Sequence, residues 1–219
     1  MDGSSAAADA DAAAPRASLF AAALDKAPGA KDAGGAMLTD GFLDLCQLVL
    51  PLIESFGAAF MIVRNDISNN IERIRVRKAT DPERFTQLYE IIEDEIARSD
   101  HEHGHSCTKG LLWLKRAMEF MVSILRRLVE DPASSMSDAV YDTYYATLHR
   151  WHGFLASSAF SVAFAFVPSR ETFLDRLAGG KFSDQTAADM TAFVEQFSAL
   201  LAEVHTFLDA RGLDDPAKV

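Results

Sequence analysis

From Thr39 onward, apolar residues recur at every third or fourth position, and nowhere do Val, Ile or Thr alternate with polar residues as a half-buried strand requires. A chain patterned in this way buries its apolar surface by packing helix on helix, so the fold class is all-α. Eight helices are expected. A short amphipathic one runs from Arg16 to Lys26 through Leu19, Phe20 and Leu24, and a Pro/Gly/Lys linker (Pro28 to Gly35) follows it. Thr39 or Asp40 is placed to cap a nearly all-apolar helix over 42–56, bent by Pro51 and stopped near Gly57. The next helix covers about 58–78. Asp81-Pro82-Glu83 combines a cap, a first-turn proline and an acid at the positive end of the dipole, so it should open a helix over 82–98. Further helices are expected over 106–130, 136–166, 170–178 and 183–210. Residues 1–15 are Ala/Asp-rich without periodic apolar signal and read as a disordered tail, while 16–219 read as a single domain without internal repeats.

Composition narrows the function classes. A net charge of −11 supplies no basic surface for nucleic acid and no strong attraction to anionic membranes. Fifteen phenylalanines exceed what an ordinary core of this size requires and suit the lining of an apolar cavity. Cys46 and Cys107 fall in no metal or redox spacing, which fits a reducing compartment. The start, Met1-Asp2-Gly3, lacks the apolar stretch of a signal peptide. Phe154 to Val167 is too short to span a bilayer, and Phe42 to Val63 is interrupted by Asp44, Gln47, Pro51 and Glu54. A soluble, cytosolic protein is expected. Phosphate loops, zinc-protease helices and nucleophile elbows are all missing, so neither an enzyme nor a cofactor is expected.

The most informative polar constellation is Asp66, Asn70 and Arg73, spaced i, i+4 and i+7 so that they stack on one helix face. Ile67, Ile71 and Ile74 form the apolar row beside them. A carboxylate, an amide and a guanidinium edging an apolar stripe suit a polar headgroup on an apolar tail. A solvated face with an Asp–Arg pair is the alternative. Lys109, Trp113 and Arg116 repeat the spacing, and the indole between cations could stack on a sugar ring or sit in a helix seam. His152 lies in an apolar helix, as a core residue or a functional one. His101, His103 and His105 alternate in a polar loop whose spacing fits no standard closed metal site.

Taken together, these residues resemble the glycolipid transfer protein family. The resemblance rests on Phe42-Leu43-Asp44 with Pro51 and Phe56-Gly57, then Asp66-Ile67-Ser68 with Asn70-Ile71, and Leu112-Trp113-Leu114-Lys115-Arg116. Trp151-His152-Gly153 and Phe160 before Pro168 complete it. It implies a two-layer helical sandwich without disulfides, holding one glycosphingolipid with its ceramide chains between the layers and its sugar at the surface. By the same resemblance Asp66 accepts from the ceramide amide and a sugar hydroxyl, Asn70 and Arg73 bind the sugar, and Trp113 stacks on it. His152 would donate to the amide carbonyl, Phe120 and Phe160 would line the chain pocket, and Phe154 would dock at the membrane. The partners implied are a lipid and, transiently, a membrane surface, met by a monomer. A related branch takes ceramide-1-phosphate and carries cations at the positions of Asn70, Lys109 and Trp113. Asn70 and Trp113 therefore favour a neutral sugar, whereas Lys109 leaves room for a sulfated or phosphorylated headgroup. Two other readings are a lipid sensor with the same pocket and a metal-binding helical protein using the 101–105 loop.

Overall fold

The computed structural model describes residues 18–219, so the expected tail and the start of the first helix at Arg16 lie outside the described residues. Among the described residues, ten α-helices and four 3-10 turns occur, and β-structure is limited to the isolated bridges Lys31–Met37 and Leu38–Gln87. The helices are α1 Leu19–Lys26, α2 Thr39–Leu48, α3 Leu50–Glu54, α4 Met61–Ala79 and α5 Leu88–Ala97. They continue as α6 Cys107–Glu130, α7 Met136–Ala146, α8 Phe154–Phe164, α9 Arg170–Ala178 and α10 Asp184–Ala210. Serine opens five of them: Ser18, Ser106, Ser135, Ser169 and Ser183 each accept from the backbone N–H three residues on, which satisfies a donor that has no intrahelical partner.

The helices form a two-layer, all-helical sandwich built around α6, which packs chiefly on α10 and α4 and then on α7. Phe20–Phe193 and Phe42–Phe197 ring contacts tie α1 and α2 to α10. One contiguous core runs from Phe20 to Leu208 and includes the predicted row Ile67, Ile71 and Ile74. The buried carboxylate of Glu95 accepts the N–H groups of Cys107 (2.7 Å) and Thr108 (2.8 Å), fixing the start of α6 with a negative charge at its positive end. Cys46 and Cys107 are buried free thiols. Among the described residues, no helix is long and apolar enough to cross a membrane.

Three expected helices begin or break elsewhere, each for a tertiary reason. Thr39 does not cap α2. Its hydroxyl donates to Phe85 O (2.8 Å), and the helix starts at Thr39 itself; a further break at Val49, ahead of Pro51, separates α2 from α3. Asp81 accepts Arg84 N–H (3.2 Å), but only a 3-10 turn (Arg84–Thr86) follows. Gln87 is then held extended by its bridge to Leu38, and Leu88 N–H donates to Met37 O (2.9 Å), so α5 starts at Leu88 rather than Pro82. The expected helix over 136–166 is two helices. α7 ends at Ala146, the Thr147 hydroxyl and N–H both bond back to Thr143 O (2.7 and 3.0 Å), a 3-10 turn spans His149–Trp151, and His152 is extended. His152 therefore sits in a helix-to-helix connection, not inside an apolar helix.

Candidate functional site

That connection forms one wall of a cavity of about 440 Å³. Val63 and Asp66 of α4, Trp113 and Ala117 of α6, Leu148 and His152 of the connection, and α8 enclose it. From α8 come Ala156, Ala159, Phe160 and Ala163, spaced i, i+3, i+4 and i+7 on one face. Three alanines on that face leave the space that larger residues would fill. Asp66, Trp113 and His152 supply side-chain polar atoms to an otherwise apolar lining, an arrangement typical of small-molecule sites.

Asp66 keeps contact with solvent, yet neighbouring atoms displace enough water from its carboxyl group to raise its pKa, and the nearby Arg73 charge only partly offsets that. Asn70, 4 % exposed, donates through Nδ2 to Asp66 Oδ2 (3.3 Å). Arg73 donates to Ser106 O (3.2 Å) at the start of α6. Gly110 lies against this pair: a Cβ there would be 3.3 Å from Arg73 Nη1, tight enough to shift the guanidinium slightly, and in ordinary contact (3.6 Å) with Asn70 Oδ1. The row Asp66–Asn70–Arg73 thus leads out of the cavity along the helix seam, and Asn70, Arg73 and Lys109 do not line the cavity itself.

Trp113 lies nearly parallel to the His152 ring (centroids 6.0 Å apart, planes at 15°). His152 Nδ1 is 3.0 Å from the buried Tyr144 hydroxyl. The Tyr144 hydroxyl also lies 3.3 Å from Ser157 Oγ and has one proton to give; directed to His152 Nδ1, that proton leaves the imidazole N–H on Nε2. Burial, followed by the neighbouring His149 and Arg116, pulls the His152 pKa down to about 4, so the ring is neutral near pH 7. Phe160 stacks on Tyr144 (5.0 Å) and His152 (5.0 Å). Phe120 lies one layer behind, edge-on to Tyr144 (6.4 Å), and is not in the cavity wall. Phe154 stands outside, 84 % exposed; Leu155, Val162 and Phe166 of the same segment are exposed too, as is Ile62 at the cavity rim.

Several participants escaped the sequence reading. Arg116 is not a surface cation. It is 2 % exposed, its guanidinium lies 3.7 Å over Trp151 and 5.0 Å from Trp113, and it donates to Asp214 Oδ1 (2.8 Å) and Asp215 O (2.7 Å). Tyr144 and Val219 also belong to the site, and nothing local in the sequence marks either one. Among the described residues, no group of three or more His, Cys, Asp or Glu is placed to hold a metal ion, and His103 of the 101–105 loop is exposed. A second, open depression over Tyr89, Phe207 and Arg211 has a similar volume but shares no residue with this cavity.

The lowered His152 pKa predicts a pH dependence. The unfolded imidazole titrates near 6.5 and the folded one near 4, so the unfolded state binds more protons between these values. The stability at issue is present above about pH 6.5 and is lost as pH falls toward 4, by at most about 3 kcal/mol. Urea unfolding of the unmodified and His152→Gln proteins across this window should give a shallower decline for the variant. Equal declines would mean that the ring is not held neutral.

Comparison with known proteins agrees with this geometry. The profile of the family described as Glycolipid transfer protein (GLTP) matches residues 37–179, which contain every residue named above for the cavity except Val219. Glycolipid transfer protein 1 of Arabidopsis thaliana is 42 % identical over 197 residues, covering 90 % of this chain and 96 % of that protein. Two solved structures share the fold. One describes how FAPP2 selects simple glycosphingolipids using the GLTP-fold (TM-score 0.80, 22 % identity, 93 % of this chain and 96 % of that one). The other is the apo form of mouse ceramide-1-phosphate transfer protein (TM-score 0.81, 22 % identity, 90 % of this chain and 98 % of that one). With the profile spanning both the core helices and the cavity, and a relative aligned along nearly its whole length, this chain belongs to the glycolipid transfer protein family.

Proposed function

We propose that this protein carries a glycosphingolipid between membranes by equilibrium binding, without chemical change to its cargo. The observation that carries this reading is the convergence of the Asp66 carboxylate and the Trp113 and His152 rings on one apolar cavity. An amide N–H from the lipid would donate to Asp66, which accepts only Asn70 Nδ2 from the protein among the described residues. His152, neutral near pH 7, would donate from Nε2 to the amide carbonyl with the Tyr144 hydroxyl turned to its Nδ1. Trp113 offers an aromatic plane to the apolar face of a sugar, and Asn70 and Arg73 extend polar contacts outward along the seam. The chains would lie against Phe160 and the alanine face of α8, with Phe120 as backing. Each methylene removed from water contributes ~0.8 kcal/mol, which is why a two-chain lipid needs an enclosed carrier.

The cavity is of the size of an ordinary small-ligand site, and two full chains need more room. α8 is the element suited to yield. Phe164 is its one buried side chain, and its outer face is apolar and exposed. That same face, with Phe154, Leu155, Val162 and Phe166, suits transient insertion into a bilayer interface from the cytosolic side by a monomer. Phenylalanine supplies the apolar part of such a contact without the indole N–H.

The test is vesicle-to-vesicle transfer. The unmodified protein should move glucosyl- or galactosylceramide well above spontaneous exchange with no nucleotide or metal added. No acceleration for either lipid would overturn the reading.

A further inference from the structure

The segment after α10 is directed back across the headgroup end of the site. Gly212 adopts a left-handed conformation (φ 67°), Leu213 N–H bonds Leu208 O (2.9 Å), and Gly212 N–H bonds Asp209 O (2.9 Å). These two bonds and the partly buried Leu213 side chain make a Schellman stop, so the reversal is encoded in Arg211-Gly212-Leu213. Beyond it, Asp214 holds the enclosed Arg116, and Asp215 pairs with Lys109 Nζ. The strand of chain then closes on the His152 connection. Gly153 N–H donates to Val219 O (2.6 Å), Val219 N–H donates to Trp151 O (3.1 Å), and Val219 borders the cavity beside Asp66, Trp113 and His152.

Resting on the sphingolipid reading above, we propose that this segment is a specificity clasp: Asp215, by occupying Lys109, closes the headgroup site to sulfate- and phosphate-bearing headgroups and leaves it open to uncharged sugars. Arg73, Arg116 and Lys109 are engaged on Ser106 O, Asp214 and Asp215, whereas Arg150 lies exposed over Trp151 on the far side of the connection's indole, with no carboxylate within 4 Å among the described residues. Arg116 is too enclosed to turn toward a ligand, and Arg73 is tied to the start of α6. Lys109 is a flexible point charge in a partly exposed pair, the kind of pair that contributes little to stability and separates readily. An anionic headgroup reaching for it would have to displace the Asp215 carboxylate. A sugar hydroxyl donates to the same carboxylate and displaces none of these bonds.

The experiment compares transfer of sulfated and unsulfated galactosylceramide between neutral vesicles by the full chain and its Asp215→Asn variant. Asparagine retains Oδ1, which accepts Ala217 N–H (2.9 Å), and leaves the backbone carbonyl on Arg116 in place. Circular dichroism confirms folding, and Asp215→Ser serves as a second variant. The sulfated-to-unsulfated ratio should rise about tenfold in Asp215→Asn, the equivalent of one charge-assisted bond gained. Adding Lys109→Leu to Asp215→Asn should cancel that rise. A ratio unchanged in both Asp215 variants, with unsulfated lipid still carried, would overturn the clasp and leave the carrier function standing. A rise that survives Lys109→Leu would also overturn it, since loss of negative charge and not release of Lys109 would be the cause. If the unmodified chain carries neither lipid, the carrier reading falls and the clasp with it.

Discussion

Replacing Asp66 by valine is expected to lower glycosphingolipid transfer by at least ~100-fold while leaving the protein folded. Two charge-assisted hydrogen bonds to the lipid, each worth ~1.5–3 kcal/mol, would be lost, and ~100-fold is the equivalent of ~2.7 kcal/mol. The fold should tolerate the change because Asp66 is in contact with solvent and forms no ion pair within 4 Å, and its carboxylate is already penalised by desolvation. The cost falls on Asn70, whose Nδ2 loses an acceptor 3.3 Å away. Melting temperature should therefore move by only a few degrees. Asp66→Asn, which keeps the shape and one acceptor, should fall between the two. Wild-type transfer rates in a folded Asp66→Val protein would remove Asp66 from the binding site altogether.

A second large effect is expected from Trp113→Arg combined with Asn70→Lys. The pair removes the stacking plane and the neutral amide and adds two cations next to the seam. Stacking lost on a neutral sugar costs about 1 kcal/mol or more, and each new charge-assisted bond to a phosphate contributes ~1.5–3 kcal/mol. Preference should shift from galactosylceramide toward ceramide-1-phosphate by at least ~10-fold. The new arginine would stand near the enclosed Arg116, and the new lysine near Arg73 and Gly110, so some loss of stability is expected as well. For that reason the readout is the ratio of the two lipids in competition, which does not depend on the fraction of protein folded. An unchanged ratio would mean that these positions do not face the headgroup.

The sequence reading was most reliable where geometry is local. The i, i+4, i+7 spacing placed Asp66, Asn70 and Arg73 on one face of α4 with the isoleucines buried beside them, and the structure keeps both rows. It was least reliable at helix breaks. Apolar periodicity continues through 136–166, so nothing in the pattern marks the interruption at 147–153; main-chain bonds from Val219 to Trp151 and Gly153 help hold it. Asp81-Pro82-Glu83 carries every local sign of a helix start, yet the tie between Leu88 and Met37 delays α5 by a turn and a half. The spacing of Arg116 from Trp113 says nothing about what lies above it. What lies above it are Asp214 and Trp151.

By itself the sequence determined the all-helical class, the two polar rows on α4 and α6, and the family, because helix periodicity and motif order are properties of neighbouring residues. The family resemblance already joined Asp66, Trp113 and His152 at one site; the tertiary structure alone decided that α8 lends their cavity an alanine face and that Lys109 and Arg116 are already occupied. The Lys109–Asp215 pair joins positions 106 residues apart. Contacts of that kind arise only once α6, α10 and the 147–153 connection have packed, since burial and charge pairing depend on what surrounds a side chain and not on what precedes it in the chain.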